Sequence, residues 1–146
     1  MRGTELALLC GIVVAGCFLR VVHLGTSSLW WDELVHVRTA QQPGWLAVFR
    51  AVKEGVPPGS GNAGAVPLDY QLLHAWLWLV PEPSPAWLEV YYRAPAAIYS
   101  CLALVAMWAF CRATFGLAVA AVATALLAVS MPHVLYAAGG RPTSRA

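Results

Sequence analysis

The sequence predicts an all-α integral membrane fold. It has about three transmembrane helices and a long first extracytoplasmic loop that carries short juxtamembrane helices. Three observations lead there. Apolar residues make up 60% of the 146 positions and charged residues only 11%, with a mean hydropathy of +0.64. A soluble domain averages roughly 45–50% apolar and about 25% charged. Uninterrupted apolar stretches approach the length of about 20 residues that a bilayer core of about 30 Å demands. The long segment between the first and second stretches breaks repeatedly at Pro and Gly, so it reads as short helices and turns.

Residues 6–24 form the first expected span. They are apolar as far as Arg20 and His23, which sit where a long side chain can snorkel or face protein. A cleaved signal peptide is the rival reading, since Val14-Ala15-Gly16-Cys17 resembles a lipoprotein box. The segment ahead of it carries only Arg2, offset by Glu5, which makes a poor positive n-region. Residues 94–111 are the cleanest span, uncharged throughout and bracketed by Arg93 and Arg112. Residues 115–138 form the third. Its Ala-rich centre offers small side chains for close helix packing, and Pro132 marks an exit or kink.

The loop, residues 25–92, has internal order. Leu34, Val37, Leu46, Val48, Phe49 and Val52 recur at helical spacing, with Pro43-Gly44 dividing the run into two short helices. Pro57 to Gly64 is a flexible linker. Pro67 to Val80 is strongly apolar but too short to span, so an interfacial or re-entrant helix is expected, with Trp76 and Trp78 at headgroup level. Pro81, Pro83 and Pro85 end it.

Charge and cysteine content exclude several classes. The net charge is +2 and the basic residues are scattered, so nothing points to nucleic acid. The four cysteines contain no CxxC pair, which gives no zinc ribbon and no disulfide framework.

Asp32-Glu33 is the feature that asks for chemistry. It follows Trp30-Trp31 in S28-L-W-W-D-E33, in a chain with only seven carboxylate side chains. An acidic pair just outside a span can hold a cation or take a proton from an acceptor hydroxyl. The structural alternative is a solvated loop start. A divalent cation near Asp32 and Glu33 is the cofactor candidate. His36, three residues after Glu33, shares its helical face, but two ligands rarely suffice for a metal. His74 is expected to pack with a hydrogen bond rather than bind a ligand, and Asp69 to face the amino end of its helix dipole. Arg93 can bind a lipid phosphate or simply snorkel.

The order of these pieces resembles the amino-terminal third of GT-C fold glycosyltransferases, in the group of protein mannosyltransferases and aminoarabinose transferases. The pieces are S28-L-W-W-D-E33, P67-L-D-Y-Q-L-L-H-A-W-L-W78, R93-A-P-A-A97, C111-R-A-T-F-G116, an Ala/Leu span and M131-P-H-V-L-Y-A-A-G-G-R-P142. The resemblance covers essentially the whole chain. It implies transfer of a hexosyl or pentosyl group from a polyprenyl-phosphate donor to an extracytoplasmic acceptor. The setting would be a bacterial inner membrane with the first loop outside. It matches Asp32 to a catalytic base or acceptor-positioning group and Glu33 to the second acidic residue of that motif. It suggests Arg93, Arg141 and Tyr70 as substrate-binding residues. Membrane lipid and further transmembrane helices are the expected partners.

The departures from the family pattern are specific. Ala65 and Val66 stand where a His or acidic residue often precedes the matching proline, and Gly139 stands where a carboxylate is expected. The resemblance also implies further spans beyond residue 146, so the chain reads as the leading portion of an enzyme and inactive alone. Two other classes compete. One is a small non-enzymatic membrane protein that acts through its Ala-rich helix, with Ala121 and Ala125 as sensitive positions. The other is an envelope protein processed at Cys17.

Overall fold

The computed structural model describes residues 3–22, 24–25, 28–55 and 67–130. Every element among them is helical: α1 (Gly3–Val21), α2 (Trp31–Ala40), α3 (Trp45–Glu54), α4 (Pro67–Leu79), a 3-10 turn (Pro85–Trp87), α5 (Leu88–Thr114) and α6 (Leu117–Val129). Two of the helical stretches, Gly3–Val21 and Pro85–Thr114, are long and apolar enough to cross a membrane. The third expected span, 115–138, is described as helix over Leu117–Val129 only, and its continuation past Ser130 lies outside the described residues.

The chain divides into two compact units, residues 1–27 with 96–146, and Ser28–Pro95. In the first unit, α1 lies along α6 in the same direction. Leu9 and Ile12 meet the cluster of Trp108, Cys111 and Ala120, while Gly16 faces Ala128. The descending part of α5 runs the other way, because Glu5 pairs with Arg112 and Arg20 bonds Ser100. Ala120, Thr124 and Ala128 fall on one stripe of α6, and all three are buried. Small residues at this spacing let backbones approach closely. Gly16 completes the contact from α1: a Cβ there would stand 2.6 Å from Leu104 Cδ1 and 3.1 Å from Ala128 Cβ. Ala121 and Ala125, the positions expected to serve partner helices, lie beside this stripe and are half-buried.

This unit is apolar outside and encloses a few polar side chains within its apolar core. Val14, Phe18, Leu102, Phe110, Val122 and Leu126 are exposed, while Glu5, Arg20 and Thr124 are buried. Arg20 is fully buried. Its Nε donates to Ser100 Oγ at 2.6 Å. Nη1 donates to the carbonyls of Gly16 at 2.8 Å and Ala128 at 3.0 Å, and Nη2 to that of Leu127 at 3.1 Å. The last two acceptors belong to the final turn of α6, where carbonyls lack helical partners and the dipole is negative. Arg20 therefore caps one helix from another. At the opposite end of α1, Arg112 Nη2 stands 3.1 Å from Glu5 Oε1. All four cysteines are free thiols.

The second unit holds α2, α3, α4 and the first two turns of α5. Pro43-Gly44 separates α2 from α3 as expected, and Gly44 takes φ 93°, a conformation that a side chain would strain. Val48 and Val52 of α3 pack on Tyr70, while Val37 and Ala40 of α2 pack on Leu73, flanked by Trp76, Leu77 and Tyr92. His36 lies against Asp69 and Tyr70, and one turn later Ala40 lies against His74, so α2 and α4 run side by side in the same direction.

The start of α5 departs from expectation. The helix begins at Leu88 rather than near Ala94 and continues through Pro95. Pro85 opens the preceding 3-10 turn, where its missing N–H costs nothing. The Tyr91 hydroxyl donates to Val80 O at 2.7 Å, which ties this turn of α5 to the end of α4.

Candidate functional site

The carboxylates singled out in the sequence lie in the second unit, on the leading turns of two parallel helices. Asp32 and Glu33 occupy the second and third positions of α2, and Asp69 the third position of α4. The neighbours Asp32 and Glu33 have opposite fates. Helical geometry turns Glu33 back toward the start of its own helix. There its Oε2 accepts from the Trp30 N–H at 3.1 Å, the carboxylate half of a capping box. Arg93 closes on the same group. Its Nε donates to Glu33 Oε1 at 2.8 Å and its Nη2 to Glu33 Oε2 at 2.9 Å, with Nη2 also donating to Ser28 O at 3.2 Å. This is a bidentate guanidinium–carboxylate fork. The Arg93 side chain is 3% exposed and that of Glu33 18%.

Asp32 is exposed, and no hydrogen bond or ion pair among the described residues engages it. Trp31, 65% exposed, precedes it. Of the adjacent pair, one carboxylate is consumed in anchoring the loop and the other is presented.

One turn along α2, His36 Nε2 lies 3.4 Å from Asp69 Oδ2. Its ring rests against that of Tyr70, with centroids 4.2 Å apart. The separation brings the two charges into ion-pair range but does not make a well-formed hydrogen bond, and Nε2 is itself buried without one. Burial pushes the His36 imidazole below its ordinary range, and the carboxylates of Asp69 and Glu33 oppose this only in part. Tyr70, expected at the substrate, is buried in the α3–α4 core. His74 does what the sequence suggests: its Nδ1 meets Ala40 O at 2.8 Å, with Trp45 edge-on to its ring.

The divalent cation expected near Asp32 and Glu33 finds no fitting donor set here. Among the described residues no group of three or more His, Cys, Asp or Glu comes together to hold a metal. Both Glu33 oxygens already accept from Arg93 or Trp30. The Arg93 fork likewise spends on Glu33 the guanidinium expected at a lipid phosphate. Arg141, Ala65, Val66 and Gly139 lie outside the described residues. The partnership that sequence reasoning missed is Glu33 with Arg93. Sixty positions separate the two, and the only available signal was that an acidic pair and a lone Arg each border an apolar run.

Compared with known protein families, curated proteins and solved structures, the chain has no match.

Proposed function

We propose that the chain is the amino-terminal membrane portion of a glycosyltransferase that moves a sugar from a polyprenyl phosphate to a hydroxyl acceptor, with Asp32 as general base. The observation that carries this reading is the split within the acidic pair. Glu33 is locked by Arg93, while Asp32 is held on the first turn of a rigid helix with its carboxylate open to solvent.

The apolar exterior of the first unit supports placing it in a bilayer. Exposed Leu, Val and Phe suit hydrocarbon, and the buried charges Arg20 and Glu5 are partnered inside. In that setting Arg93 is the last charge before residues 94–111, so the Glu33–Arg93 fork stands at the boundary where a lipid-linked donor presents its phosphate. The first loop is extracytoplasmic in this reading, in a bacterial inner membrane.

The chemistry is a displacement at the anomeric carbon. The acceptor oxygen forms a bond to that carbon, and the carbon–oxygen bond to the phosphate breaks with its electron pair leaving on the phosphate. The acceptor proton passes to the Asp32 carboxylate. The aligned amino ends of α2 and α4 bring partial positive charge to the edge where the phosphate departs.

The test is transfer from radiolabelled mannosyl polyprenyl phosphate to peptide or lipid acceptors, in membranes that contain this chain as part of a complete, active enzyme. Asp32→Asn should abolish transfer at unchanged protein level, since an amide cannot take the proton. Full transfer by the Asn variant would exclude Asp32 as the base.

A further inference from the structure

The contact between His36 and Asp69 joins two helices whose leading turns carry the candidate site. Its two partners sit in unequal surroundings. The Asp69 side chain is 66% exposed, so water screens its charge, whereas the imidazole is 29% exposed and its Nε2 is closed off from solvent. A proton added to His36 would therefore place a cation in a partly desolvated slot, facing a carboxylate at 3.4 Å that is too hydrated to compensate fully.

The remaining charged neighbours do not change the balance. On α2, Glu33 acts on His36, but its oxygens are bound by Arg93, and Asp32 lies a turn earlier in solvent. On α4, Tyr70 contributes a ring face, and His74 is a turn away on Ala40 O. On α3, Arg50 is exposed and Lys53 stands over the Phe49 ring at 4.7 Å.

We propose that His36 and Asp69 form an acid-released latch between the leading turns of α2 and α4. With the imidazole neutral, the ring packs at a tilt against Tyr70, centroids 4.2 Å apart, and the helices are held. On protonation the slot becomes unfavourable and the leading turns part, while the Val37–Ala40–Leu73 cluster keeps the rest of the pair together. The sign follows from linkage. A histidine whose proton affinity is lower folded than unfolded gives stability that is full above about pH 6.5 and is lost as pH falls below it. The latch itself does not depend on the transferase reading. Only its effect on Asp32, one turn earlier on α2, rests on it.

The experiment is a histidine NMR titration of the full chain in lipid nanodiscs, alongside its thermal midpoint at pH 7.5 and 5.5. The chain has four histidines, so the His36 signal is assigned as the one that His36→Gln removes. His36 should titrate below free histidine. Asp69→Asn should lower its midpoint further and enlarge the acid loss of thermal stability, and His36→Gln should remove most of that loss. If His36 titrates at or above free histidine, or if Asp69→Asn leaves its midpoint unmoved, the latch is overturned. Neither readout involves sugar transfer, so an Asp32→Asn variant that still transfers would sink the enzyme reading and leave this one standing.

Discussion

Replacing Arg20 with methionine tests the packing of the first unit most sharply. Methionine keeps the unbranched stem and removes the guanidinium. Four hydrogen bonds vanish, and at about 1.5–3 kcal/mol for a bond to a charged group their sum is about 6–12 kcal/mol. That sum overstates the loss. Gly16 O already accepts within α1, and the Ser100 hydroxyl can turn to a carbonyl of its own helix. Leu127 O still accepts from the Ser130 N–H at 3.3 Å. Among the described residues Ala128 O is left without a donor, worth about 1–3 kcal/mol, and the loss of a cation at the α6 terminus adds up to about 2 kcal/mol. Against this, the desolvation cost of the buried cation disappears. The expected net destabilisation is about 2–4 kcal/mol. Arg20→Lys, which keeps the charge but not the fork, should cost about half as much. The assay is reversible unfolding in mixed micelles titrated with dodecyl sulfate, followed by Trp fluorescence and circular dichroism. A methionine variant as stable as the parent would refute the idea that Arg20 holds the end of α6.

Two further changes probe the two units separately. Glu33→Gln should cost about 3–5 kcal/mol, because it strands the buried Arg93 without its counter-charge. Arg93→Met with Glu33→Gln should recover much of that loss in the same unfolding assay, and a double variant no better than the single one would show that the pair is not coupled. Gly16→Val should cost about 1–3 kcal/mol by overpacking against Leu104 and Ala128, and Gly16→Ala less. An unfolding midpoint unchanged by valine would mean that α1 and α6 are not closely packed at that level.

Local signals carried the helices well and their pairing poorly. The two-part division at Pro43-Gly44, the short helix from Pro67 and the hydrogen-bonded packing of His74 could be read because each depends on a turn residue or a neighbour one helical turn away. The uncharged run after Arg93 marked an expected span and not the first turn of α5, because Glu89 and Arg93 interrupt the apolar pattern but not the helical backbone. Asp32-Glu33 could be found as a pair, but not which of the two would be free. That was decided by Arg93 from sixty positions away. Arg20 could be read either as snorkelling or as facing protein, and the structure turns it inward. Its inward turn depends on carbonyls more than a hundred positions later, which no window on the sequence contains.

The two polar ties on α1 also set a ruler. Glu5 meets Arg112 near one end and Arg20 meets the α6 terminus near the other. The fourteen residues between them, 6–19, carry no charge. At about 1.5 Å per residue the ties stand about 22 Å apart, several ångströms short of a typical hydrocarbon thickness of about 30 Å. In a bilayer of that thickness one tie must sink. Arg112 keeps 41% of its side chain exposed and needs water, while Arg20 is already sealed by protein oxygens. The Arg20 end can therefore sit inside the hydrocarbon, and a thinner bilayer, which spares it that depth, is the one this helix group fits with least distortion.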